Sequence, residues 1–224
     1  MKLLSSHCIL IILLLAILDL KESNAQSHDK GTFSIQLNYD GGLYSTHNKT
    51  IYKGVVIEDK NDAALSRAFI LNASYNPIKF LSVGINLGKG AYIENPDSIH
   101  NDGNVYNRMG IDVKGYYLNH DKFNMFLGVQ TGFSKLVIHR KAILIGTAYA
   151  TQKSIYNAPY LGLNTGFNWY FTKYVGVNMQ LGYSTHGFKL IKSYINDTQL
   201  NLSDYDIGFK TNGAHIEFGV SVKF

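Results

Sequence analysis

One pattern governs what this chain can become: apolar and polar residues alternate singly along most of its length. Residues 32–39 read TFSIQLNY, with Phe33, Ile35, Leu37 and Tyr39 on one parity and Ser34, Gln36 and Asn38 on the other. Successive side chains of a strand point to opposite faces, so such a segment is a strand with one apolar and one polar face. The alternation returns over 64–75, 80–89, 107–118, 123–134, 158–171, 174–186 and 212–224. Connections 40–63, 90–106, 135–157 and 187–211 are long, whereas 76–79, 119–122 and 172–173 are short. Short turns on one side and long loops on the other characterise an up-and-down barrel closed within a membrane. A tilted strand needs roughly 9–11 residues to cross a bilayer, and most of these segments are that long. The expected fold is therefore all-β: an eight-stranded antiparallel up-and-down transmembrane β-barrel.

Side-chain volume decides which face points outward. Leu, Ile, Val, Phe, Met and Trp crowd the apolar parity, while Gly, Ser, Asn and Gln crowd the other. Eight strands enclose a lumen that side chains just fill, so the small and amide residues belong inside. Tyr39, Tyr75, Phe80, Tyr117, Phe123, Phe171, Tyr174 and Tyr183 stand at the ends of the alternating stretches. Aromatics gather there in interfacial girdles. A soluble lipocalin-type barrel would need the reverse arrangement, and a β-sandwich has no reason for such regular connections.

The first residues read as an address. Lys2 precedes the apolar run Cys8–Leu18, which is too short for a spanning helix and suits the apolar region of a signal peptide. Ser23-Asn24-Ala25 supplies small residues for cleavage after Ala25. The expected organisation is a signal peptide at 1–25, a short periplasmic segment at 26–31 and the barrel at 32–224. The one Cys lies in the removed piece, so neither disulfides nor thiolate metal sites are expected. A hydrophobic fraction of 46% argues against disorder. The net charge of +5 is mild, and no nucleic-acid partner is expected.

These features together resemble the small bacterial outer-membrane β-barrels of the OmpA/OmpX-like, porin-like superfamily. The closing GVSVKF, with Phe218, Val220, Val222 and Phe224 on one parity, resembles the terminal signal by which that family engages the barrel-insertion machinery. The resemblance implies export to the outer membrane, contact with its lipids and lipopolysaccharide, a monomer, and no cofactor. It leaves the activity open. A structural or surface-interaction role, through loops that contact a protein or ligand, comes first. A narrow porin-like channel comes second and an enzyme third.

Charges on the inward parity are the sharpest local feature. Asp112 and Lys114 lie mid-way along the fourth stretch and Glu217 along the eighth, with Tyr116, Gln130 and His215 on the same face. Lys114 can pair with Glu217 across the barrel or with Asp112 beside it. A neutralised plug and a gated ion path both use these residues, and burial demands pairing in either case. A basic group, Lys135, His139, Arg140 and Lys141, with Arg67 on the outward parity, suits lipopolysaccharide phosphates. Apolar residues on either side of 139–141 suggest that the fifth and sixth strands continue as a protruding hairpin, whose edge could add a strand from a partner. No HExxH or paired-His spacing occurs. Ser184 and His186 with Asp204 or Asp206 are the best nucleophile–base set available. Residues 97–104 offer oxygen ligands of the calcium kind but lack EF-hand spacing.

Overall fold

The alternation becomes a closed ring of antiparallel strands in the computed structural model, which describes residues 29–94, 104–143 and 149–224. The strands are β1 (Phe33–Tyr52), β2 (Val55–Ile78), β3 (Leu81–Glu94), β4 (Asn104–Asn119), β5 (Phe123–Ile143), β6 (Tyr149–Tyr170), β7 (Val175–Ile195), the two-residue β8 (Thr198–Gln199) and β9 (Tyr205–Lys223). Each long strand pairs with its sequence neighbours, and β9 pairs with both β7 and β1, from Ser34↔Lys223 to Tyr52↔Tyr205. That last ladder closes the barrel. Residues 1–28, with the expected signal segment, and 97–103 of the calcium-type stretch lie outside the described residues.

Parity sorts the two faces as the volume argument requires. Leu37, Phe69, Ile85, Met109, Leu127, Leu163 and Phe218 stand outward and exposed, while Gln36, Asn38, Asn72, Asn86, Asp112, Gln180 and Glu217 are buried inside. Rings pack sideways on the outer surface: Tyr39 lies 5.4 Å from Phe69 and 5.7 Å from Phe218.

Two expectations need correction. The segments read as long loops are mostly strand, a continuation expected only for the fifth and sixth strands, where β5 and β6 pair as far as Ile143↔Tyr149. β1 and β2 run on to a two-residue turn at Lys53 and Gly54, with φ of 47° and 82°. Positive φ at both positions marks the turn whose twist matches a hairpin. Asn196 and Asp197, at 46° and 66°, make a second such turn between β7 and β8. Above the apolar belt these strands leave the one-apolar-face regime, so their alternation fades although their pairing continues. Tyr39 and Tyr183 consequently sit within strands and not at their ends.

The second correction concerns the lumen, which is not filled by small residues alone. Tyr44, Tyr92, Tyr106, Phe126, Tyr160, Tyr170, Phe188 and Phe209 are buried within it. Inward glycines make the room. A Cβ on Gly110 would lie 2.9 Å from Cζ of Tyr160, and one on Gly176 would lie 2.8 Å from Cδ1 of Tyr170. Tyr170 covers the bare backbone of the adjoining strand at Gly176, a known device of curved sheets, and Tyr160 reaches Gly110 from two strands away.

Replacing Gly54 by Val should strain the β1–β2 tip by about 1–2 kcal/mol, the cost of a left-handed conformation for a residue with a Cβ. Hydrogen exchange should speed up at residues 49–60 while the global unfolding temperature barely moves. An equal loss throughout the barrel would show that this hairpin is part of the cooperative unit.

Candidate functional site

The termini and the three short turns share one rim, and the hairpins stand at the other. From the first rim to the second the interior has four levels. The lowest is an amide ladder. Gln36 Nε2 donates to Asn168 Oδ1 at 2.9 Å, and Asn168 Nδ2 donates to Asn124 Oδ1 at 2.7 Å. Nearby the hydroxyls of Tyr170 and Ser221 meet at 2.9 Å, and the Lys223 ammonium lies 4.2 Å from the Tyr170 ring centroid.

The second level carries the charges. Lys114 Nζ meets Asp112 Oδ2 at 2.9 Å, also reaches Gln36 Oε1 at 3.5 Å, and lies over the Phe126 ring at 4.8 Å. Of the two pairings open to Lys114, the structure makes the one along its own strand. Glu217 pairs instead with Arg108, Nη2 to Oε1 at 3.0 Å, and both side chains are almost wholly buried. Asn38 Nδ2 donates to Glu217 Oε2 at 3.2 Å, and Gln180 Nε2 donates to the same oxygen. Arg108 also stands over the Tyr160 ring at 5.5 Å, and the Tyr160 hydroxyl donates to Asn86 Oδ1 at 2.7 Å. Asp40 and His215 complete this level, both buried. Asp112, Lys114, Tyr116, Gln130, His215 and Glu217 all point inward as read from parity. Arg108 and Asp40 were missed, although they continue the inward parities Arg108-Asp112-Lys114 and Gln36-Asn38-Asp40.

Aromatics form the third level. Phe188 stacks on Phe209 at 4.7 Å and on His186 at 5.7 Å, and Tyr92 lies 6.3 Å from Phe188. His186 is buried here between two hydroxyls, Ser134 Oγ at 3.2 Å from Nδ1 and Ser184 Oγ at 3.4 Å from Nε2. The structure thus joins Ser184 to His186. Asp204 and Asp206 are exposed elsewhere, Asp204 beside Lys53 at 3.7 Å. A triad of Ser184 and His186 with Asp204 or Asp206 does not assemble.

Above the rings, the hairpins enclose a cup of about 710 Å³. Thr46, Asn48, Glu58, Lys60 and Asp62 of β1 and β2 form a polar wall, while Leu190, Leu200, Leu202, Ile207 and Phe209 form an apolar one. Polar groups are already ordered on the first wall: Asn48 Nδ2 donates to Asp62 Oδ2 at 3.3 Å, and Lys60 meets Asp62 at 3.3 Å.

The basic group divides between two faces. Arg140 takes the inward parity and lines the cup, Lys135 stands on the outer face, and His139 is half-buried. The side chain of Lys141 lies outside those described. Arg67 is exposed on the outer face, where the register sets it near Lys89 and Lys135: Lys89 pairs with Asn107 and Asn107 with Lys135, while Arg67 pairs with Ala91. Phe218, Val220 and Phe224 face outward on β9 and beyond it, with Val222 half-buried. Phe224 extends the closing ladder, accepting from Phe33 N at 3.2 Å and donating to Phe33 O at 2.8 Å.

Among solved structures, the outer membrane protein AlkL, determined by solid-state NMR in lipid bilayers, shares 11% identity at a TM-score of 0.55. The match covers 91% of this chain and 95% of that one. The outer membrane protein OprG from Pseudomonas aeruginosa shares 13% identity at 0.50, over 89% of this chain and 98% of that one. The chain has the fold of the OmpA/OmpX-like outer-membrane β-barrels. The outer membrane protease OmpT from Escherichia coli matches at a TM-score of 0.42 and 12% identity, over 91% of this chain and 99% of that one. That likeness is too distant to bear on the chemistry of the barrel. No family model and no curated protein sequence matches the chain.

Glu217→Ala should destabilise the barrel by about 3–5 kcal/mol, because Arg108 is then a buried charge without its carboxylate. The double variant Arg108→Leu/Glu217→Leu should recover much of that loss. Urea unfolding in detergent measures both, and an additive double variant would show that the pair is not coupled.

Proposed function

We propose that this chain is an integral outer-membrane barrel that works at the cell surface. In this reading its lumen is closed to solutes and its hairpin cup binds a ligand or partner. One observation carries the reading: amides, ion pairs and rings fill the interior level by level, while the large cavity lies beyond them among the hairpins. The exposed apolar belt supports membrane residence, since such a surface is stable against acyl chains and not against water. The short turns and termini then face the periplasm and the hairpins face outward. Arg67, Lys89 and Lys135, close in register across β2 to β5, suit phosphate groups of lipopolysaccharide at the upper edge of the belt. The role is non-enzymatic in this reading.

Planar-bilayer recording of the purified protein should show very small or no steady conductance. A stable pore of porin size would overturn the closed-lumen reading and favour a channel. Cysteines placed at Lys153 and Thr198 should react with an impermeant label on intact cells, and one at Asp121 should react only after lysis. The reverse pattern would invert the topology.

Phe224 serves in this reading as part of the assembly signal. Phe224→Ala keeps the backbone rung with Phe33. The variant should lower outer-membrane levels in cells while refolding nearly normally in detergent. Equal loss in both assays would make Phe224 an ordinary packing residue.

A further inference from the structure

The seam that closes the barrel holds three ligand-type side chains in one place. Asp40 and Glu217 are register partners on β1 and β9, and His215 lies one inward position away on β9. Ligand atoms of all three fall within 4.8 Å of one another. Asp40 is 3% exposed, His215 4% and Glu217 0%. Among the described residues no hydrogen-bond partner reaches Asp40 Oδ2, His215 Nδ1 or His215 Nε2. A buried polar atom without a partner is costly, and one ion can serve Asp40 Oδ2 together with one of the two imidazole nitrogens. Glu217 is already held by Arg108, Asn38 and Gln180, and its Oε1 lies 4.0 Å from His215 Nε2. The His215 ring lies against Gly182, where a Cβ would collide with it, so the packing orients the imidazole.

Charge points the same way. With Asp40 ionised and the imidazole neutral, the two carboxylates against Arg108 carry one negative charge that a cation would offset. One imidazole nitrogen with carboxylate oxygens is a ligand set of Zn²⁺ and its neighbours among the divalent metals. Arg108 occupies one side of Glu217 and opposes a cation, so the ion sits toward Asp40 and His215.

We propose that Asp40, His215 and Glu217 bind one divalent transition cation of the Zn²⁺ class across the β1–β9 seam. The ion ties the first barrel strand to the last and acts as a clamp on closure. This site is independent of the hairpin cup and of what the cup binds.

The test uses the detergent-purified protein, freed of metal by a chelator and titrated with Zn²⁺ by calorimetry. One ion per chain should bind, and the unfolding temperature should rise. Asp40→Asn and His215→Asn should each lose both effects. His47→Gln should keep both, since His47 is exposed on the β1–β2 hairpin beside Asp59 at 3.5 Å. Absence of binding overturns the proposal, as does binding that survives both lumen variants. Should those variants not fold, histidine-labelled unaltered protein decides by NMR. The imidazole shifted by Zn²⁺ should be shielded from a gadolinium chelate in the water, and a water-exposed one overturns the assignment.

Discussion

Everything in this molecule depends on the ladder between β1 and β9. A sheet whose outer face is apolar cannot leave an edge in lipid, because unpaired N–H and C=O groups there have no water to turn to. Pairing from Ser34↔Lys223 to Tyr52↔Tyr205 removes that edge and turns an open sheet into a ring. Once the ring is closed, inside and outside exchange their usual roles. The solvent-facing surface of an ordinary protein becomes the lumen, and the core-facing surface becomes the belt.

The lumen then has to satisfy its polar groups internally. Its side chains lie in layers, amides first, then ion pairs, then stacked rings. Lys114–Asp112 is a pair along one strand, whereas Arg108–Glu217 spans the barrel and recruits Asn38 and Gln180. The second pair therefore fixes how β4 stands relative to β9, and the first does not. Above them, Phe188, Phe209 and Tyr92 close the interior. A capacious space is left where strands have already risen past the belt, and that is where recognition has room to occur.

Extension of the strands into hairpins follows from the same chemistry. Past the belt, neither face is bound to be apolar, so the sequence is free to vary. The backbone keeps its ladders because two-residue turns at Lys53-Gly54 and Asn196-Asp197 hold the register. Loops in the sequence are thus strands in the structure. The exposed Val55, Val56 and Ile57, beside charged Glu58 and Asp59, show how far composition departs from alternation there.

The period-two pattern alone was enough for the class of fold, the eight spanning segments, the side of each short turn and the inward parity of Asp112, Lys114, Gln130, His215 and Glu217. Parity is local: it depends only on successive residues of one strand pointing opposite ways. Arg108 and Asp40 were legible on the same grounds, since Asp40 continues its inward series by one step of two and Arg108 continues its own by two, past Gly110. Which side chains meet across the lumen is not local. It depends on the stagger of all eight strands, and that stagger brings Glu217 to Arg108 rather than to Lys114. The same holds for the rings over Gly110 and Gly176, for Arg140 turning into the cup, and for the Ser184–His186 pair standing apart from Asp204 and Asp206. Alternation determined which residues face inward; closure of the barrel, with its register, decided which of them touch.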